Sequence, residues 1–205
     1  MRHGRLSWLA PRDLTVAQRE VYDSIVRSPR ANGPRATSLS DADGRLHGPF
    51  NAMLFSPALG NSLQDLGASI RYRTTMPDRL REIAILEVAR HMRSGFEWHA
   101  HAVAGRRAGL TDRDIDGIRH GVPGDGLSTA ERLGIDVVGM LMTTGDLADD
   151  VFERARQEFG DVILTELLTL VGYYRLLAVQ MRVWRTPLPD GVADVFGPDP
   201  QRSQP

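Results

Sequence analysis

An all-α fold is predicted by three observations on this chain. No stretch keeps the period-two alternation of a half-buried strand for more than a few residues, and helix-start signals recur about every 15 to 30 residues. Two segments, one around Leu80–Ala89 and one over Val162–Val183, are apolar on nearly every face, as only buried helices are. Two such helices carry more apolar surface than a small single-layer bundle covers, which predicts a homo-oligomer.

Taken in order, Met1–Arg12 reads as extended, and Pro11 with Asp13-Leu14-Thr15 forms a turn feeding a helix capped at Thr15 that runs to about Arg27. Val16, Tyr22, Ile25 and Val26 give it an apolar face. Ser28–Gly48 is rich in Pro, Gly, Ser, Asp and Arg, buries little, and reads as a long surface connection, so that about 1–47 forms an extended N-terminal arm. Ser56-Pro57 starts a helix to about Arg71, with proline at the favoured first position. Thr75-Met76-Pro77-Asp78 opens the central helix in the same manner.

Arg93-Ser94-Gly95 interrupts that helix, because glycine costs about 1 kcal/mol in a helix interior and serine prefers an N-cap. A second helix follows to Gly109-Leu110. Thr111 with Asp114 caps a short helix to about Arg119; His120–Gly126 is a loop; Ser128 with Glu131 caps a helix to about Thr144. Two more helices are expected over Leu147–Phe159 and Asp161–Val183. The tail over about 187–205, with five prolines, is expected to be flexible or laid across a neighbour.

At 205 residues the chain fits one domain over 1–205. A formal charge of −1 gives no reason to expect nucleic acid or an anionic membrane, and Glu166, Arg175, Gln180 and Arg182 are too polar for the Val162–Val183 segment to span one. The chain has no cysteine and its N-terminus lacks an apolar signal region, which fits a cytoplasmic protein.

Chemistry concentrates in one stretch. Glu97 and His101, four residues apart, share a helix face. Glu82 lies on the buried helix, where an acid costs several kcal/mol unless paired or protonated, so the Glu97/His101 face is its expected partner. Two carboxylates beside one imidazole supply an acid of raised pKa and a base near neutrality, which suffices to move protons without a cofactor. His91 and His99 invite a metal reading, but residues two apart on a helix diverge, and His99 with His101 makes no zinc signature, so no metal is expected. Trp98 is a candidate pocket wall. Gly44, Gly48 and Gly60 make no phosphate cradle.

These residues resemble the carboxymuconolactone decarboxylase family, which includes the AhpD-type alkylhydroperoxidases. That family carries an acid on a core helix, a short break, then a helix ending in a catalytic His followed by a Gly-hydrophobic turn. Glu82, Glu97, His101 and Gly109-Leu110 stand where the decarboxylase branch has Glu, Glu, His and Gly-Val, and the resemblance extends over Gly48–Val183. The peroxidase branch has Cys-x-x-Cys where this chain has Ser94 and Glu97. The resemblance implies an AhpD-like helical bundle that forms homo-oligomers. It implies a cofactor-independent lyase of the non-thiol branch, acting by proton transfer, decarboxylation or isomerisation on a small carboxylated or lactone-like substrate. It makes Glu82, Glu97 and His101 catalytic and places Phe50, Asn51 and Tyr173 at the substrate. The alternative is a non-catalytic oligomer of the same fold that binds a small ligand or a partner protein.

Overall fold

The computed structural model describes residues 1–28 and 38–197. Eight helices stand among them: α1 Val16–Val26, α2 Pro49–Met53, α3 Pro57–Tyr72, α4 Asp78–Met92, α5 Gly95–Arg107, α6 Asp112–His120, α7 Thr129–Thr144 and α8 Asp149–Trp184. A two-residue hairpin, Arg2–His3 against Leu6–Ser7, and a 3-10 turn at Pro11–Asp13 precede them. The helix starts follow from local chemistry. Thr15, Thr111 and Ser128 each accept a hydrogen bond from the backbone three residues on, and Gln18, Asp114 and Glu131 return the bond to the cap backbone. At Gly160 the backbone turns to φ 71°, ψ 167°, so α8 is two helices end to end, as the sequence predicts.

Helix α4 is the axis of the fold. Ile83, Ala84, Ile85, Leu86, Val88 and Ala89 are fully buried, and α5, α6, α7 and α8 pack around them. The α4–α5 pair is a tight αα-hairpin. Its corner is Arg93, in the left-handed region at φ 49°, and the Ser94 N–H donates to the Ala89 carbonyl at 2.8 Å. Gly105 allows the close approach, since a Cβ there would meet the Leu110 side chain at 2.9 Å with Leu86 and Glu82 just beyond. Glu166 of α8 ties in the entry of α4 by accepting from the Thr75 and Met76 N–H groups at 3.0 and 2.9 Å.

Helix α8 is long and apolar enough by composition to cross a membrane, and 44% of its most apolar window is buried. That burial lies on the face turned towards the core. The opposite face keeps Leu168, Leu176, Val179 and Val183 exposed around Gly172, spaced at helical intervals.

Two expectations about the chain ends need correction. Within the expected arm, Val21, Ile25 and Leu46 are completely buried and Leu39 nearly so. Polar composition hid this because Asp41 and Arg45 fold 38–48 back on itself: Asp41 accepts from the Arg45 N–H at 2.8 Å and Ser40 bridges to Leu46, which turns the two leucines inward. Residues 29–37 of the arm lie outside the described residues, as do 198–205 of the tail. The tail up to Gly197 is tied down: the Arg93 guanidinium donates to the Phe196 carbonyl, and the Phe196 ring meets Trp98 edge-on at 5.4 Å.

Candidate active site

Glu82 projects from the middle of α4 and is 2% exposed; His101, two turns into α5, is 6% exposed. The hairpin brings them together, with His101 Nδ1 2.7 Å from Glu82 Oε2. Burial pushes the Glu82 carboxyl up, but His101 and the charges of Arg71 and Arg81 outweigh it and hold the pKa below the usual carboxylate value. Burial likewise lowers His101 and, with Arg71 and Arg81 opposing a further positive charge, prevails over the pull of Glu82. The pair therefore stands as a carboxylate and a neutral imidazole. An ionised carboxylate only accepts, so Nδ1 carries the proton and Nε2 is left with a free lone pair.

Glu97 shares the helix face of His101, as its spacing predicts, but does not bond to it. It shares the buried stripe of α5 with Trp98, His101, Ala102 and Gly105, but neither of its buried oxygens has a hydrogen-bond partner. The reason is competition: Glu82, reaching across the hairpin, takes the imidazole N–H that a residue four positions earlier would otherwise receive. Burial pushes the Glu97 carboxyl up to about 8, against a smaller opposing effect of Ser94. At neutral pH it is a carboxylic acid with a proton to give.

Two further residues close the group. The Tyr174 ring on α8 meets His101 edge-on at 5.1 Å. Burial raises its hydroxyl above the ordinary tyrosine value, and Arg71, Glu82 and Glu97 all act on it electrostatically. Arg71, in the last turn of α3, acts electrostatically on both Tyr174 and Glu82. Neither was legible as a site residue, yet signals existed: Arg71 follows Gly60, Gln64 and Gly67 on the buried face of α3, and Tyr173-Tyr174 is a doublet whose members point about 100° apart.

The other sequence candidates lie elsewhere. Asn51 is fully buried, but its side chain is committed to the N-terminal hairpin, accepting from the Leu9 N–H at 3.2 Å and donating to the Ser7 carbonyl at 3.0 Å. It staples the chain terminus and has little left for a substrate. Phe50 packs against the main core. Trp98 belongs to a second core with Ile83, Leu86 and Ala89, under Phe196. Tyr173 sits with its hydroxyl over Gly67, where a Cβ would collide at 2.2 Å, and its ring edge-on to Tyr174 at 5.4 Å. His91 is engaged with Glu87 at 3.1 Å, and among the described residues no three His, Cys, Asp or Glu side chains converge as metal ligands would.

Comparison with known proteins bears on the fold and the family likeness. Residues 57–133, a span that carries Arg71, Glu82, Glu97 and His101, match the Carboxymuconolactone decarboxylase family. The fold is AhpD-like. The crystal structure of an Agrobacterium tumefaciens protein of unknown function, a candidate antioxidant defence protein AhpD, superposes with a TM-score of 0.60 at 17% identity, covering 69% of this chain and 98% of that one. No curated protein matches the chain. With no cysteine in the sequence, the likeness is to the non-thiol side of the family.

Proposed function

We propose that the protein is a cofactor-independent acid/base enzyme, a decarboxylase or double-bond isomerase acting on a small carboxylated or lactone-like substrate. One observation carries the reading: a buried Glu82–His101 pair at 2.7 Å beside a buried, unpartnered Glu97. The two carboxyl groups have been pushed apart in acidity by their surroundings, which is how one site holds a base and an acid at the same pH. His101 Nε2 is the base. Glu82 fixes its tautomer and stabilises the imidazolium that forms when it takes a proton from carbon. Glu97 is the acid and protonates carbon. In an isomerisation, His101 removes a proton from one carbon while Glu97 delivers one to the conjugated position, and the net proton count is unchanged. In a decarboxylation, the C–C bond electrons stay on the substrate as carbon dioxide leaves, Glu97 protonates the carbon, and solvent restores its proton.

The dithiol peroxidase chemistry of the other branch needs thiolates this sequence does not contain. The test is turnover of unsaturated lactone acids in deuterated water. Wild-type protein should place deuterium at the protonated carbon, and Glu97→Gln should abolish the incorporation. Turnover retained in both His101→Ala and Glu97→Gln sinks the reading and favours a ligand-binding protein of the same fold.

The exposed Leu168, Leu176, Val179 and Val183 on α8 support assembly into a homo-oligomer. Light scattering at micromolar protein should give a mass well above the 22.7 kDa chain, and Leu176→Glu should lower it. A stable wild-type monomer refutes the assembly.

A further inference from the structure

We infer that Arg81 is a positioning residue of this site: anchored by Asp78 at the surface, it lies against the Glu82 oxygen that His101 leaves free, and so fixes the turn of that carboxylate and how tightly the Glu82–His101 pair holds a proton. The inference deepens the acid/base reading and rests on it for the use of the pair, not for its geometry.

Four charged or titratable groups stand in a row. Asp78 accepts from Arg81 Nη2 at 2.8 Å, Arg81 Nε is 3.5 Å from Glu82 Oε1, and Glu82 Oε2 is 2.7 Å from His101 Nδ1. The row starts at a side chain that is 75% exposed and reaches one that is 3% exposed, so it carries charge from the surface to the buried imidazole. Consecutive residues of a helix point about 100° apart, so Arg81 meets Glu82 only by bending its long side chain back. Asp78, three residues earlier and on the same side of α4, holds the guanidinium there.

The contact is an ion pair without a hydrogen bond. Arg81 Nε is buried and has no acceptor, whereas Arg90 Nε hydrogen-bonds Glu87 at 2.9 Å. A buried N–H left without an acceptor is costly to a fold, and here it stands beside the carboxylate that orients the base. A looser grip has a use: an arginine fully bonded to Glu82 would take up the charge that the carboxylate must offer to an imidazolium.

The sign follows from Coulomb's law. A guanidinium favours the carboxylate and opposes a second cation on His101, so the pair gives up its proton at lower pH, and Arg71 of α3 acts in the same direction. From α8 the Tyr174 ring meets His101 edge-on at 5.1 Å, and Glu97 of α5 lies on the face of His101. Asp114 of α6 and Glu131 of α7 are engaged by Thr111 and Arg79. Arg81 stands at ion-pair distance from Glu82, so its removal should be felt directly.

The experiment follows the His101 ring of the full chain by NMR as pH is varied, with its signal assigned by its loss in His101→Ala. Arg81→Gln should raise the pH at which the ring takes up its proton by about 0.5 to 1 unit. Arg81→Lys should restore at least about half of that shift, and the shift should survive about 1 M salt because the pair is buried. In turnover, the acidic limb of the kcat/KM profile should move to higher pH by the same amount in Arg81→Gln, which lost packing alone would not produce. An unshifted ring, a shift to lower pH, or a shift that vanishes in salt overturns the inference. If Arg81→Gln fails to fold, infrared spectra of His101→Ala decide: Glu82 should stay ionised at neutral pH without its imidazole, and a protonated Glu82 overturns the inference. A shifted ring in a protein without turnover keeps the role of Arg81 and removes the catalytic reading. Turnover dependent on His101, with neither the ring nor the pH profile moved in Arg81→Gln, does the reverse.

Discussion

Helix α4 carries two buried glutamates, each paired to a histidine, and only one of them belongs to the site. Glu87, 1% exposed, is met by Arg90 at 2.9 Å and His91 at 3.1 Å, both within one turn of the same helix. Its charge is cancelled locally and every partner is accounted for, beside Gly139 of α7. Glu82 instead finds His101 19 residues away, on a helix face that also carries Glu97, a buried acid with no hydrogen-bond partner. A buried Glu–His pair is thus no mark of chemistry in itself. What separates the two is the hydrogen-bonding capacity left over after the fold has taken its share.

The sharpest way to break that contrast is to remove both histidines in turn. His101→Ala should lower turnover by about 10² to 10⁴-fold with the helical circular dichroism unchanged, whereas His91→Ala should leave turnover within about twofold. Equal losses would mean the two pairs do not differ in kind.

Next in size is Glu97→Gln, expected to cost roughly 10²-fold in turnover and to change how stability depends on pH. Glu97 keeps its proton in the folded state up to about 8, while the unfolded chain loses it near 4.5. Between those values Glu97 binds more protons in the folded state, so its contribution to stability should fall as pH rises, at up to roughly 1.4 kcal/mol per pH unit. Below 6.5 the lowered His3 and His101 act in the opposite direction, so the contribution is read as the difference between wild type and Glu97→Gln. Denaturant unfolding from pH 6.5 to 8 should show a falling wild-type stability that Glu97→Gln lacks; identical slopes in the two proteins would show that Glu97 is ionised.

The smaller effects separate stability from activity. Glu87→Gln should cost about 1 to 3 kcal/mol of stability, because Arg90 and His91 lose their anion, with turnover untouched. Glu82→Gln keeps an acceptor for the His101 N–H but removes the charge behind it, so it should cost about tenfold in turnover and little stability. Thermal melts and kinetics on the two variants check both arms, and the contrast fails if the losses fall the other way round.

The sequence displayed the helices and half of this site. Capping boxes at Thr15, Thr111 and Ser128 and the break at Gly160 are local chemistry and could be read directly. So could the need of Glu82 for a partner. Which of Glu97 and Glu82 wins the imidazole could not, because helix periodicity places Glu97 on the right face and only the hairpin packing shows that Glu82 is nearer. Arg71 and Tyr174 were hidden for the same reason, since they reach the site from helices far apart in sequence. The buried Leu39 and Leu46 were masked by polar neighbours, whose hydrogen bonds serve to fold that segment inward.

The tight corner at Arg93 has a consequence in time. Contacts within one αα-hairpin close short loops and form early, whereas those from α3 and α8 must wait for long ones. The Glu82–His101 pair should therefore assemble before the walls that enclose it, and α4–α5 should act as the folding nucleus. In a stopped-flow series Ala102→Gly, in the hairpin, should mainly slow folding, and Leu177→Ala, on α8, should mainly speed unfolding. The reverse pattern would place the nucleus on α8. On this order of events the base and its carboxylate meet while still in water, and the environment that sets their acidities arrives last.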